Sequence, residues 1–189
     1  METVAEKGII KSVRDSIISV ITGTGDILNA VINTISGMVT NLAKDTGKTG
    51  SALIGSMKDM ISSTINGVVE TGKNLEDGVK GLVIGILQGL KSTGKEAFST
   101  IGTLAGTIIK TTVDTGADVV VATKGLLKGV IHSAKETGID AEKAVSEAAT
   151  EAVKAAYEIS EEVGNKVRDT ATGTIDGIKV VVKEPFNKK

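Results

Sequence analysis

Residues 71–92, TGKNLEDGVKGLVIGILQGLKS, contain the unit from which most of the chain is built. Thr-Gly opens this segment and recurs at Thr93, Thr115 and Thr137, each time 22 residues after the last, and a further Thr-Gly lies 22 residues upstream at Thr49. A fixed period of this length is the sequence signature of a repeat architecture. We therefore interpret the chain as a tandem array of one repeated element.

The large apolar residues of each unit follow a helical spacing. In residues 71–92 they recur at intervals of one, three or four residues, which places them on one face of a helix and does not match the alternation of a strand. Two times eleven residues make 22, and eleven residues complete about three turns of a nearly straight helix. The predicted fold is all-α, with tandem 22-residue amphipathic helical repeats. The predicted apolar face for a lipid or a partner comprises Leu75, Val79, Leu82, Val83, Ile86, Leu87, Leu90, Ile101, Leu104, Ile108, Val119, Leu126, Leu127 and Val130.

Small residues form a second stripe along the same predicted helices. They are spaced by three or four residues in residues 71–92, and the spacing returns in residues 115–136. Small residues at this spacing allow two helices to approach closely. The predicted small-residue packing face comprises Gly78, Gly81, Gly85, Gly89, Gly125 and Gly129.

The glycines of the Thr-Gly pairs are predicted breakers, and two interpretations of them stay open. Glycine directly after a helix accepts a positive φ, so each pair could end one helix and let the next fold back. Alternatively, each pair is a soft point within one long helix. The acidic Asp114 and Glu136 would be unfavourable at a helix C-terminus, which slightly favours the soft point. The predicted breakers are Gly50, Gly72, Gly94, Gly116 and Gly138.

The chain divides into an N-terminal amphipathic helix with a breaker (1–25), the helical repeat region (26–158), and a helix end with a loosely ordered tail (159–189). Residues 139–168 read as one conventional helix, with Glu162 and Lys166 at an i,i+4 spacing that suits an ion pair. The tail contains a short β-like run, 178–182, and we expect it to be frayed or loosely docked.

Composition narrows the possible partners and the compartment. The net charge is −1, so the chain lacks the basic field of a nucleic-acid-binding protein. There is no Cys, which excludes disulfides and thiol chemistry, and the first residues lack the apolar stretch of a signal peptide, so a cytoplasmic location is expected. The uncharged run 27–43 is short for a membrane span and is interrupted by asparagines, so we do not expect it to cross a bilayer.

The sequence offers no constellation for catalysis. Gly47-Lys48-Thr49 resembles the end of a phosphate-binding loop but lacks its first glycine and a preceding strand. His132 is the only histidine, and the repeat pattern puts it at the border of a helix face, where we expect it to be solvated. Without a nucleophile–base pair or a ligand cluster, we expect no enzyme activity, no cofactor, no metal and no small-molecule substrate.

The run TGADVVVATKGLLKGVIHSAKETG, residues 115–138, resembles the repeats of perilipins, the lipid-droplet coat proteins, which are also rich in Thr, Gly, Val and Lys in multiples of eleven residues. The 22-residue unit is also similar to that of exchangeable apolipoproteins, although those usually punctuate with Pro. The resemblance covers residues 27–158 and is one of pattern and composition. It implies an amphipathic-helix protein peripheral to a membrane or lipid-body surface.

Two functional hypotheses follow. In the first, the chain is a non-enzymatic coat or scaffold protein whose repeated apolar faces insert shallowly into a lipid or other hydrophobic surface, with several weak helices adding their affinities. In the second, the same faces pack helix on helix, through the small-residue stripe, into a self-assembling structural protein. A stripe of small residues is needed for close packing and is unnecessary for lipid coating, so it discriminates between the two. We expect the chain to form homo-oligomers.

Overall fold

The computed structural model describes residues 4–23, 25–44, 50–92 and 98–183, and within these ranges the chain forms eight helices followed by a two-stranded hairpin. This confirms the prediction of an all-α repeat fold. The elements are α1 (Val4–Gly23), α2 (Ile27–Lys44), α3 (Gly50–Glu70), α4 (Leu75–Ser92), α5 (Phe98–Asp114), α6 (Val119–Thr137), α7 (Ala141–Ile159), α8 (Glu161–Ala171), β1 (Gly173–Ile175) and β2 (Ile178–Val180).

The helices are arranged in two layers. Helices α2, α4 and α6 stack directly on one another and form what we call the even layer, whereas α1, α3, α5 and α7 form the odd layer. Each 22-residue unit therefore supplies one helix, and two consecutive units supply one rung of the double layer. The apolar faces of both layers meet in a continuous core of aliphatic side chains, including Ile65, Leu82, Ile86, Ile108 and Leu126.

The Thr-Gly pairs end helices, so the interpretation as soft points in a long helix is wrong at the pairs that the structure describes. Gly72, Gly116 and Gly138 have φ of 62°, 69° and 73°, in the left-handed region that favours glycine. After Gly138 the backbone N–H of Ile139 donates to the carbonyl of Ala134 at 3.1 Å, the bond that closes a Schellman motif. Gly94 lies outside the described residues, and Gly50 is the first residue of α3, where it begins a helix and ends none.

Each described loop also starts the next helix with a polar cap. The Asp118 side chain accepts from the backbone N–H groups of Val120 and Val121, and the Asp140 side chain accepts from that of Lys143. Such N-caps contribute about 1 kcal/mol each, because they satisfy N–H groups that have no partner within the helix. Thr-Gly followed two residues later by Asp or Asn therefore encodes both the end of one helix and the start of the next.

The last two elements differ from the prediction. Residues 139–168 are not one helix: Ser160 has an extended backbone, ends α7 and caps α8. The tail is docked through Lys183, because β1 and β2 pair around an Asp176-Gly177 turn and Val180 is 5% exposed. The predicted ion pair between Glu162 and Lys166 is present at 2.7 Å.

Candidate functional site

The even layer is held together by backbone-to-backbone approach at the predicted small-residue packing face. A methyl group placed on Gly81 would lie 2.9 Å from the carbonyl oxygen of Leu28, and one on Gly85 would lie 2.9 Å from that of Ile32. A methyl group on Gly89 would lie 2.6 Å from Cβ of Val39. Real Cβ atoms do not approach other atoms this closely, so glycine is required wherever α4 lies on α2.

The same contact repeats between α6 and α4. A methyl group on Gly125 would lie 2.5 Å from the carbonyl oxygen of Glu76, and one on Gly129 would lie 2.8 Å from Cβ of Val83. Gly78 differs from its neighbours, because it faces α3, where a methyl group would lie 2.6 Å from Val68. The small-residue stripe thus serves packing within the chain, mainly between successive even helices.

The order of these contacts fixes the geometry of the stack. Gly81, Gly85 and Gly89 follow one another along α4 in the same order as their partners follow along α2, so the two helices run in the same direction. Helix α4 therefore has two different sides. One carries the small residues and faces α2, and the other carries β-branched side chains, such as Val83, and faces α6.

The predicted apolar face is internal to the molecule. All of its residues are buried except Leu75, which is half-buried, and Leu82 and Leu126 are completely buried. The side chains that the sequence assigned to a lipid or partner surface are thus brought together in the core between the two layers. The large apolar side chains that are exposed among the described residues, Ile54, Val69, Ile159 and Val181, are scattered.

Polar pairs line the outer edges of the stacked helices. Lys128 of α6 reaches Glu76 of α4 at 2.7 Å, and Lys110 of α5 reaches Glu158 of α7 at the same distance. The hydrogen bond and charge of Glu76 raise the pKa of Lys128. Pairs between stacked helices of the same layer were not predicted, because the period alone does not say which helices become neighbours.

A groove of about 290 Å³ runs between α5 and α7, with Gly102 and Gly106 along its floor. Its charged side chains are engaged with each other, since Lys110 pairs with Glu158 and Lys154 lies 3.5 Å from Glu151. The groove is therefore an open, ion-paired helix boundary rather than a cavity with converging unpaired groups.

The C-terminal end of both layers is covered. Helix α8 packs on α6, where Thr123 and Leu127 are fully buried. The segment after β2 crosses α7, and its backbone N–H groups at Val181 and Lys183 donate to the hydroxyls of Ser146 and Thr150 at 3.0 and 3.1 Å. These two contacts occupy the side of α7 on which a further odd helix would stack.

The side of α2 that faces away from α4 is not covered by any of the residues that the structure describes. The N-caps of the even helices allow the helices to be aligned. Asp26, Asn74 and Asp118 each accept a hydrogen bond at the start of α2, α4 and α6, and they lie 48 and then 44 residues apart. With these offsets Asn33, Gly37 and Asn41 of α2 correspond to Gly81, Gly85 and Gly89 of α4, as the matching partner contacts require. All three are exposed, and a methyl group on Gly37 would meet nothing within 4 Å. We call these three residues the end face.

The offset of 48 corrects the assumption of a strict 22-residue period upstream of residue 71. Helix α3 has 21 residues where α5 has 17, so four extra residues, about one turn, precede the regular repeats. The end face was missed in the sequence because this insertion moves it out of register with the later glycines.

The structure also bears on the expectations about His132, metal ligands and a membrane span. His132 is exposed, with its Nε2 atom 3.3 Å from Glu136. Among the residues that the structure describes, no group of three or more His, Cys, Asp or Glu side chains is arranged to hold a metal ion. No helix in the described ranges, α2 included, combines the length and apolarity needed to cross a membrane.

Comparisons with known proteins bear on the fold. No family model and no curated protein matches the chain. Among solved structures, the crystal structure of the de novo designed helical repeat protein DHR7 is similar, with a TM-score of 0.53 and 15% sequence identity over 87% of this chain and 91% of that chain. At this identity the likeness concerns the fold alone, and it agrees with a helical repeat architecture.

Proposed function

We propose that the protein is a non-enzymatic structural protein, a rigid double-layered stack of helices that acts by associating with further copies of itself. The association is carried by one observation: α2 has no ionisable side chain from residue 27 to residue 43, although its outer side faces solvent. The fixed stack is supported by the close contact of glycines with backbone carbonyls in the even layer, at 2.5–3.0 Å from where a Cβ would lie. Contacts this close need a fixed helix arrangement and serve no purpose in helices that lie separately on a surface.

The burial of the apolar residues supports the same proposal. A lipid coat requires the apolar face to reach the acyl region, whereas Leu82 and Leu126 are fully buried against other helices. Lipid binding through this face would require the layers to separate and would expose most of the core. The coat hypothesis, which rests on the resemblance to perilipins and apolipoproteins, is therefore the second candidate and makes the opposite prediction about opening.

A disulfide that locks the two layers together separates the two functions. Val68 of α3 packs on Gly78 of α4 between the layers, and a Cβ on Gly78 would lie 3.5 Å from Cβ of Val68. This separation suits a disulfide, and the chain has no Cys of its own. The double variant Val68→Cys/Gly78→Cys can therefore be compared in its oxidised and reduced forms. Far-ultraviolet circular dichroism, co-flotation with phosphatidylcholine/phosphatidylserine vesicles and solution mass would be measured for both forms and for the wild type.

We expect high helicity without vesicles, no gain on adding them, and the same oligomeric mass for the locked and reduced forms. A chain of low helicity that becomes helical on vesicles, and binds them only when reduced, would establish the coat. A mass of one chain at all concentrations, with no vesicle binding, would overturn the proposed self-association.

A further inference from the structure

We infer that the end face of α2 is the self-association surface, on which α2 of a second copy docks antiparallel about a two-fold axis near Gly37. This inference rests on the proposed self-association and adds to it a surface, a partner and a stoichiometry. Four observations carry it.

The first observation is that the same side of an even helix is covered in both places where it recurs in the chain. There the covering helix is parallel and presents its β-branched side, whereas in the proposed dimer it is antiparallel and presents its own end face. The positions that correspond to Asn33, Gly37 and Asn41 are covered by α2 where they occur in α4, and by α4 where they occur in α6. In both places the neighbouring helix approaches to backbone contact. On α2 the central glycine, Gly37, is present, and a Cβ placed on it would have no atom within 4 Å.

The second observation is that the opposite end of the stack is closed. The side of α6 that would receive another even helix is covered by α8, and the side of α7 that would receive another odd helix is covered by the segment at Val181 and Lys183. Head-to-tail growth, which would make a filament, therefore lacks one of its two surfaces. A contact between two identical end faces does not need the covered sides of α6 and α7, and an isologous contact closes at two copies.

The third observation is that the end face is symmetrical about its glycine. Asn33 and Asn41 lie four residues before and four residues after Gly37. When two copies of α2 cross antiparallel at Gly37, Asn33 of one copy faces Asn41 of the other, and the reverse pair forms on the other side of the axis. An amide side chain both donates and accepts hydrogen bonds, so these two pairs are self-complementary.

The fourth observation is the charge of α2. From residue 27 to residue 43 the helix has no ionisable side chain, although its outer side faces solvent. Two copies can therefore approach without like-charge repulsion and without desolvating an ion. The exposed sides of the other described helices carry charged residues, for example Lys58 on α3 and Lys124 on α6.

A charge placed at the two-fold axis tests the inference. Gly37→Glu fits the free chain, because nothing lies within 4 Å of its Cβ position. Gly55→Glu is the matched control, since Gly55 is also an exposed helical glycine with nothing within 4 Å, but it lies on α3. Sedimentation velocity over a range of concentrations would give the mass of each full-length chain, and circular dichroism would confirm that both variants are folded.

We expect the wild type and the control Gly55→Glu to have the mass of two chains. Gly37→Glu alone should have the mass of one chain. An equimolar mixture of Gly37→Lys and Gly37→Glu should again have the mass of two chains. The dissociation constant should rise at least tenfold for Gly37→Glu. Oxidised Gly37→Cys should form a covalent dimer rapidly, whereas Gly55→Cys should not.

The outcomes separate this inference from the proposed function. If the wild type is larger than one chain but Gly37→Glu leaves its mass unchanged, another surface mediates assembly; the inference is then overturned while self-association stands. If the wild type has the mass of one chain at every concentration, both are overturned. A mass well above two chains would contradict the closed two-fold arrangement.

Discussion

Ser133 on α6 is a buried residue, 3% exposed, whose hydroxyl has no hydrogen-bond partner among the described residues. It lines a cavity of about 10 Å³ that is otherwise surrounded mainly by apolar side chains such as Leu87, Ile101 and Val130. A buried hydroxyl without a partner costs about 1–3 kcal/mol, because its hydrogen bonds to water are lost and not replaced. The unpaired hydroxyl of Ser133 therefore lowers the stability of the folded protein.

Replacing this hydroxyl should stabilise the protein. Ser133→Ala removes the unpaired group and introduces a better helix former, so we expect the free energy of unfolding in urea to rise by about 1 kcal/mol. Ser146→Ala is the control, because Ser146 is a buried helical serine whose hydroxyl accepts the N–H of Val181 at 3.0 Å, and its loss should lower the stability. A loss of stability in Ser133→Ala would mean that the hydroxyl is bonded.

The ion pair between Lys128 and Glu76 should stabilise the stack at neutral pH. Because the partner raises the pKa of Lys128 above its ordinary 10.5, the folded state holds this proton more tightly than the unfolded state does. The stabilisation is therefore fully present below pH 10.5 and disappears as the pH rises through the higher pKa of the folded state. We expect Lys128→Met to cost about 0.5–1 kcal/mol at pH 7, and the difference from wild type to shrink above pH 10.5.

Lys124→Met provides the reference for that measurement. Lys124 is exposed on the same helix and has no ion pair in the described part of the chain. Its replacement should change the stability by less than that of Lys128. Equal effects of the two replacements, measured by urea denaturation at several pH values, would show that the pair with Glu76 contributes nothing.

At the scale of the elements, the glycines of α4 decide whether the even helices can touch. Gly85→Ala places a methyl group 2.8 Å from Cβ of Ile35 and 2.9 Å from the carbonyl oxygen of Ile32. The two helices must then move apart, so we expect a loss of about 1–3 kcal/mol in thermal or urea unfolding, although Ala is the better helix former. Gly55→Ala, at an open position, should instead gain about 0.5–1 kcal/mol.

The spacing of the apolar residues predicts the helices, and the spacing of the small residues predicts their close packing. The apolar spacing could not predict what the apolar face would meet, because an amphipathic helix has the same pattern whether its face lies on lipid or on another helix. Leu82 and Leu126 are predicted to belong to a lipid or partner face for this reason, and the structure places both in the core. Which helices become neighbours is set by the joints between them.

The turns between helices can be predicted from the Thr-Gly pairs, but the argument from neighbouring acidic residues pointed to continuous helices instead. Acidic residues before the Thr-Gly pairs favoured continuous helices, because a charge near a helix end is worth about 0.3–1 kcal/mol. Asp140, two residues after Gly138, was the stronger signal, since a cap for the following helix has no role inside a continuous one. The hairpin after α8 had no comparable periodic signal, and its docking depends on the hydroxyls of Ser146 and Thr150.

At the scale of the whole molecule, the C-terminal hairpin should act as the lid of the stack. Removing residues 172–189 exposes the side of α7 that Val180 covers, and we expect the free energy of unfolding to fall by about 1–3 kcal/mol, as for the loss of one buried aliphatic side chain. The helical circular dichroism signal should persist, because the deleted part is not helical. Removing residues 184–189 alone is the control, and unchanged stability in both truncations would mean that the hairpin is loosely attached.

Consecutive helices alternate between the two layers, so the order of a helix in the chain decides its layer. Helices with glycines that touch a neighbouring backbone at close range belong to the even layer, so a helix cannot exchange layers without losing its fit. Inserting a single 22-residue unit would shift every later helix into the opposite layer, whereas inserting two units, 44 residues, would leave each helix in the layer for which its small residues are placed. Lengthening this stack, by evolution or by design, is therefore possible in whole rungs of two helices and not by a single helix.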